Sequence, residues 1–153
     1  MIKRLVLFAI CLAAMQAVQA ADVSVFGNWS ETVGPGDLVS GPGSDIRSPI
    51  TSSSYQATLA VANTEGAAWT IRVRRSSSSL PTGVAIAVRR TTSGSGDGGI
   101  SGGESYLTVN STEQTLCSGT GDRGAVGLQL RLTGVSVDQG TGSFGATLTY
   151  RVY

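Results

Sequence analysis

Apolar and polar residues alternate along most of the chain after Ala21, and no stretch there shows the 3.6-residue apolar period of a helix. Alternation with a period of two places successive side chains on opposite faces of a strand. It is typical of antiparallel sheets that pack on one face. The pattern predicts about seven strands. We place them at residues 23–29, 54–61, 69–75, 83–90, 105–109, 125–132 and 144–152.

Segments rich in Gly, Ser, Pro and Asp separate these strands and supply the backbone conformations that turns need. Several short strands with one-sided apolar faces predict an all-β fold, namely an antiparallel immunoglobulin-like β-sandwich of about seven strands. The alternating apolar positions form the predicted core, which consists of Leu59, Val61, Trp69, Ile71, Val73, Val84, Ile86, Val88, Leu128, Leu130, Phe144, Leu148 and Tyr150.

The first twenty residues have a different character. Lys3 and Arg4 precede an apolar run at 5–14, and the small residues Val18 and Ala20 stand at the −3 and −1 positions of a cleavage after Ala20. This arrangement predicts a signal peptide at 1–20 and a single β-sandwich domain at 21–153. We therefore expect export to the periplasm, the cell surface or the extracellular space. No later apolar stretch approaches the roughly 20 residues of a spanning helix, so we expect no membrane span.

Charge and composition narrow the function classes. Without Lys3 and Arg4, the eleven basic residues become nine, all of them arginine, and the ten acidic residues give a net charge of −1. This balance offers no basic excess for nucleic acid or an anionic membrane. The chain has no histidine, and its serines lack a histidine or lysine partner. Because nucleophilic catalysis needs such a partner, we expect no enzyme activity and no cofactor.

Two loops, at 93–99 and 118–124, are near copies of each other and carry Asp97 and Asp122. Each could offer a carboxylate to Ca²⁺, or each could be a Gly-Asp turn. A calcium loop normally gathers several acidic side chains, and each copy has one, so we expect turns and no metal site.

Cys117 is the one cysteine outside the predicted signal peptide, so no disulfide can form within the processed domain. We expect a buried, inert thiol, with an intermolecular bridge as the alternative. Two arginine pairs, Arg74-Arg75 and Arg89-Arg90, are expected at solvated strand ends on either side of a hairpin formed by 69–75 and 84–90.

The last predicted strand carries the pattern Gly-x-aromatic-x-Ala-x-x-x-aromatic at Gly142, Phe144, Ala146 and Tyr150. This pattern resembles the C-terminal strand of chaperone–usher pilins and of spore coat protein U domains. Near the predicted cleavage site, Val23, Val25, Gly27 and Trp29 alternate with a glycine among them, which resembles a pilin donor strand. The resemblance implies a secreted β-sandwich whose terminal strands serve assembly. The chain departs from the pilin pattern in having no internal disulfide and in carrying Val152 at the penultimate position, where tyrosine is common.

The sequence thus favours an exported, non-enzymatic structural subunit of an extracellular fibre, coat or matrix. Its expected partners are itself or related subunits, joined through strand addition by residues 22–30. The alternative, which the sequence favours, is that 22–30 is simply the first strand of its own domain. The alternative function is a secreted binding module for a carbohydrate or protein ligand, for which Tyr106 and Tyr153 are the outward-facing aromatic candidates.

Overall fold

The computed structural model describes residues 21–153, so the predicted signal peptide lies outside the described residues. Short 3-10 turns occur at Pro35–Asp37 and Val137–Gln139, and no helix in the described part is long and apolar enough to cross a membrane. The strands are β1 (Asp22–Phe26), β2 (Ile50–Thr51), β3 (Ala57–Ala62), β4 (Ala68–Ser78), β5 (Ala85–Arg90), β6 (Ser95–Gly96), β7 (Ile100–Ser101), β8 (Leu107–Thr108), β9 (Gln114–Thr120), β10 (Arg123–Thr133) and β11 (Ala146–Val152).

The strands form two antiparallel sheets, which confirms the predicted all-β sandwich. The first sheet has the order β1-β3-β10-β5-β8, with β2 and β6 also paired to β10. The second sheet has the order β11-β4-β9-β7. Consecutive strands often change sheet, so β4 and β5 do not form the predicted hairpin. The expectation that 69–75 and 84–90 pair across their connecting loop is therefore wrong.

The core lies between the sheets and follows the predicted alternation closely. Buried side chains from β3, β4, β5 and β10 meet there, and Leu59, Ile71, Val73, Val88 and Val126 are fully enclosed. Burying one such side chain stabilises the fold by about 1.5–3 kcal/mol. Of the predicted core, Leu59, Val61, Trp69, Ile71, Val73, Val84, Ile86, Val88 and Leu128 are buried, and Leu130, Leu148 and Tyr150 are half-buried.

Phe144 is the one predicted core residue that the structure places outside the core. Its side chain is 48 % exposed, because β11 begins two residues later, at Ala146. Glycines flank Phe144 at 142 and 145, and the phenyl ring packs over Gly142 rather than between the sheets. The apolar–polar alternation therefore extends into the loop before β11, where it does not indicate which side chains face the core.

Strand β9 was not predicted, because a β-bulge breaks its alternation. Cys117 pairs with Ile71 and Thr115 pairs with Arg72, which leaves Leu116 as the extra residue. Leu116 and Cys117 are consequently both buried although they are adjacent in the chain. A bulge of this kind removes the period of two that reveals a strand in a sequence.

Candidate functional site

Strand β1 lies at the edge of the first sheet and is held by one partner, β3. The pairing runs from Asp22 opposite Ala62 to Phe26 opposite Thr58. Val23 and Val25 are half-buried against the core, whereas the side chain of Phe26 is 67 % exposed. Two residues of the predicted apolar row, Val23 and Val25, thus face the core of their own domain.

Gly27 ends β1 and turns the chain away from the sheet. Its φ is +127°, a conformation that other residues rarely adopt, and a Cβ there would lie 2.6 Å from the carbonyl oxygen of Gln56 and 2.7 Å from Cα of Ala57. Trp29 falls beyond the strand, where its indole N–H donates to Glu31 across 3.2 Å. Of the predicted row at 23, 25, 27 and 29, only the first two residues therefore lie in strand β1.

No strand follows β1 until Ile50, and the intervening segment at 27–49 makes two hydrogen bonds to the rest of the described domain, of which one is donated by Val137 N–H to Asp45 across 3.1 Å. Leu38 and Ile46 form an isolated bridge within it, and the side-chain amide of Gln56 donates to the carbonyl of Asn28 across 2.6 Å. A segment with few hydrogen bonds to the rest of the domain opens at low free-energy cost. Residues 27–49 therefore form a long connection between β1 and β2.

Strand β11 leaves an unpaired edge on the same side of the sandwich. Tyr153 and Thr70 exchange both backbone hydrogen bonds, at 2.8 and 3.0 Å. Because backbone groups alternate in direction along an antiparallel strand, Val152, Tyr150 and Leu148 point their N–H and C=O groups away from β4. Within 21–153, no backbone partner meets them there, although β1 lies close to β11.

A groove of about 1000 Å³, with a mixed polar and apolar lining, opens between the sheets beside these two edges. Half-buried Leu130, Leu132 and Leu148 line it, with Phe144 at its rim. Burial by the surrounding protein raises the pKa of the Tyr150 hydroxyl. Predicted assembly residues from both ends of the domain converge on the groove, namely Val25, Gly27 and Trp29 with Gly142, Phe144, Ala146 and Tyr150. Val23 lies further along β1.

The two Gly-Asp segments are only partly loops, because 93–99 contains β6 and 118–124 joins the end of β9 to the start of β10 through a bend at Gly121. Gly94, Gly96, Gly98 and Gly121 all have positive φ. Asp122 does not cap its own loop but accepts hydrogen bonds from a neighbouring one: from the backbone N–H and the hydroxyl of Thr64, at 2.9 and 2.6 Å, and more weakly from Asn63.

Hydrogen bonds from Thr64 lower the pKa of Asp122, since they favour its charged form. Asp122 thus already serves as an acceptor within the protein, which is a structural role. Across residues 21–153, no group of three His, Cys, Asp or Glu side chains has the spacing of a metal site.

Arg90, expected at a solvated strand end, is buried with 5 % of its surface exposed. Its guanidinium contacts the carboxylate of Glu104 and donates to the carbonyl of Gly102 at 2.7 Å and to Ser93 at 3.1 Å. The expectation for Arg90 is wrong, because the loop after β7 folds back and brings Glu104 to the guanidinium.

Arg89 and Arg131 lie on the outer face of the first sheet, where Tyr106 folds over them. The Arg131 guanidinium carbon is 3.8 Å from the Tyr106 ring centroid, and that of Arg89 is 4.8 Å away. Gln129 accepts from the Tyr106 hydroxyl and from Arg89 Nε at 2.9 Å each, and its amide donates to the Ser52 carbonyl at 2.8 Å. Tyr106 was an aromatic candidate from the sequence, but its contact with Arg89 and Arg131 was not predictable, since the three residues come from separate segments.

Cys117 is buried, as expected of an inert thiol. Burial among apolar neighbours raises the pKa of its thiol to about 11, so the reactive thiolate is scarce at neutral pH.

Comparison with known proteins found no family model, no curated protein and no solved structure that matches this chain. The pilin and spore coat resemblance therefore rests on the residues quoted for it.

Proposed function

We propose that the protein is an exported, non-enzymatic structural subunit that assembles into a fibre, coat or matrix by exchange of strand β1. In this proposal, β1 of one copy leaves its own β3 and takes the same place on the next copy. Such a head-to-tail contact generates an open filament when the rotation between successive copies does not close into a ring. The partner is a second copy or a related subunit.

The position of β1 carries this proposal. It is an edge strand with a single ladder, it is followed by the long connection at 27–49, and it borders the unpaired edge of β11. An incoming β1 would recover the backbone hydrogen bonds that the departing strand gives up. Val23 and Val25 would bury the same apolar surface on the neighbour as they do in their own domain. The number of contacts therefore changes little on exchange, and a high protein concentration favours the assembled form.

A disulfide test separates exchange from a closed monomer. Ser24 and Ala60 are opposite each other across β1 and β3, so Ser24→Cys with Ala60→Cys places two thiols in register. Under exchange, oxidation of the concentrated protein should give a ladder of linked chains on a non-reducing gel. The buried Cys117 should not interfere, because its pKa is about 11.

Ala85→Cys with Thr133→Cys is the matched control, since these residues are opposite each other in β5 and β10, which do not exchange. This control should give only monomers with an internal disulfide. Deletion of 22–30 should leave a protein that is exported and does not polymerise. A Ser24/Ala60 variant that remains monomeric at high concentration after prolonged incubation, with an internal disulfide, would reject self-assembly through β1.

A further inference from the structure

The outer face of the first sheet carries an arginine cluster without a matching carboxylate. Side chains at alternate positions of β10 point outward, and the register places Gln129 opposite Arg89, with Arg131 diagonally beside it. Both guanidinium groups meet the ring of Tyr106, which comes from the segment before β8. Neighbouring like charges on a sheet repel each other, so this arrangement is one that an anion would stabilise.

The ion pairs of the described residues lie elsewhere. Arg90 contacts Glu104, and Arg151 contacts Glu113 at 3.0 Å, whereas no carboxylate within 21–153 contacts Arg89 or Arg131. Arg89 uses its Nε on Gln129, and the buried Nε of Arg131 has no hydrogen-bond partner. The Nη groups of both side chains make no hydrogen bond within 21–153, so they are the donors left for a ligand that brings acceptor oxygens.

The cluster is also held in place before any ligand arrives. Tyr106 and Arg89 share one acceptor, Oε1 of Gln129, and the amide of Gln129 is fixed in turn by Ser52. Gln129 and Ser52 are both buried. Preorganised donors lose less conformational entropy on binding than mobile surface arginines do.

We propose that Arg89 and Arg131, positioned by Tyr106 and Gln129, bind the carboxylate groups of an acidic polysaccharide. Guanidinium forks match the planar geometry of carboxylates. Arg89, Arg131 and Tyr106 are half-buried and still reach solvent, where a single small anion is screened by water and held weakly. A polymer offers many carboxylates in succession, which raises their effective concentration at the site. The net charge of −1 at 21–153 gives no long-range attraction for any polyanion, so binding depends on the local contacts between guanidinium and carboxylate groups.

Polygalacturonate is the probe, and binding to the full processed protein is measured by biolayer interferometry at low ionic strength. We expect the affinity for polygalacturonate to fall as salt is added. Galacturonate monomer and inorganic phosphate should bind at least about tenfold more weakly than the polymer, when the polymer concentration is expressed as galacturonate units. Arg89→Gln and Arg131→Gln should each reduce affinity about tenfold, as expected for losing a charge-assisted hydrogen bond. Arg131→Lys should recover only part of the loss, since lysine lacks the planar fork.

Arg72→Gln is the matched control. Arg72 also lies over a tyrosine, 4.9 Å from the ring centroid of Tyr153, but on the other sheet and near Glu113. Its substitution removes the same charge and should change affinity less than about twofold, the size of a surface charge effect. Equal losses in the Arg72 and Arg131 variants would overturn the site, because they would indicate attraction by charge alone.

A measurement on the unaltered protein removes any dependence on how well the variants fold. In ¹⁵N-labelled protein, the Nε–H resonances of Arg89 and Arg131 should shift on titration with oligogalacturonate, whereas that of Arg72 should not. Absence of polygalacturonate binding by the unaltered protein at low salt would overturn the proposal. Phosphate binding as tight as the polymer would overturn the choice of ligand. Neither result bears on strand exchange, which involves β1 on a separate edge.

Discussion

The hydroxyl of Tyr153 donates a hydrogen bond of 2.7 Å to Oε2 of Glu113 and so joins the end of β11 to the start of β9. Arg151 contacts the other oxygen of the same carboxylate at 3.0 Å. The hydrogen bond from Tyr153 is the main cause that lowers the pKa of Glu113, with a smaller contribution from the charge of Arg151 and opposition from partial burial.

We expect the Glu113→Gln protein to lose less stability than the unaltered protein as the pH is lowered. A folded pKa below the usual 4.5 means that the carboxylate stabilises the fold above that pH and that this contribution is lost as pH falls through the folded pKa. Glutamine does not titrate, so the melting temperature of the variant should fall less between about pH 7 and about pH 3. Parallel profiles for both proteins would show that the Tyr153–Glu113 contact does not stabilise the fold.

Trp69 is expected to anchor the core through both its size and its indole N–H. The N–H donates to the carbonyl of Gly121 across 2.7 Å in a buried setting. Trp69→Ala should destabilise the fold by about 3–5 kcal/mol, and Trp69→Phe by about 1–3 kcal/mol, because the Gly121 carbonyl loses its partner. Urea unfolding measures both. Trp29→Phe is the control and should change stability by less than about 0.5 kcal/mol, so a Trp69→Ala protein no less stable than this control would refute the anchor.

Gly119 is expected to resist any side chain. A Cβ there would lie 2.5 Å from both the Trp69 ring and the carbonyl of Gly99, whereas a Cβ at Gly124 would meet nothing within 4 Å. Gly119→Ala should therefore cost about 1–3 kcal/mol through overpacking. Gly124→Ala should be neutral or stabilising by up to about 1 kcal/mol, since it restricts the unfolded chain. Equal denaturation midpoints for the two variants would contradict this contrast.

The fold is expected to be independent of Ca²⁺ and to depend on Asp122 instead. EGTA should leave the melting temperature unchanged, because Asp122 already accepts three hydrogen bonds from Asn63 and Thr64. Asp122→Ala should lower the melting temperature in the presence or absence of Ca²⁺, whereas Asp97→Ala in the matching loop should not. A clear fall on adding EGTA would instead make these aspartates metal ligands.

The sandwich was predictable from sequence because a half-buried strand must alternate. Every predicted strand has a counterpart in the structure, and burial follows the alternation at residues such as Ile71 and Leu128. Prediction failed where local geometry removes the period. The bulge at Leu116 hides β9, and Phe144 continues an alternation that no longer belongs to a strand.

The residues of the candidate sites were also predictable only in part. The alternation near Val25 and the terminal-strand motif that includes Tyr150 indicate assembly residues at both ends of the domain, and these two residues line one groove. The arginine cluster was not predictable, because Tyr106 and Arg131 approach each other only through the pairing of β8 and β10 with β5. Contacts between distant segments depend on the order of the strands in the sheet, and the apolar–polar alternation within a strand does not indicate that order.

The order of the first sheet also constrains how the chain folds. Strand β3 pairs with β1 on one side and with β10 on the other, and β10 begins at Arg123. A two-stranded pair of β1 and β3 is marginal in water by itself, so the sheet becomes stable only when β10 joins it. Such long-range pairing slows folding. During synthesis, therefore, the apolar rows of β1 and β3 stay without a lasting partner until most of the chain has been made.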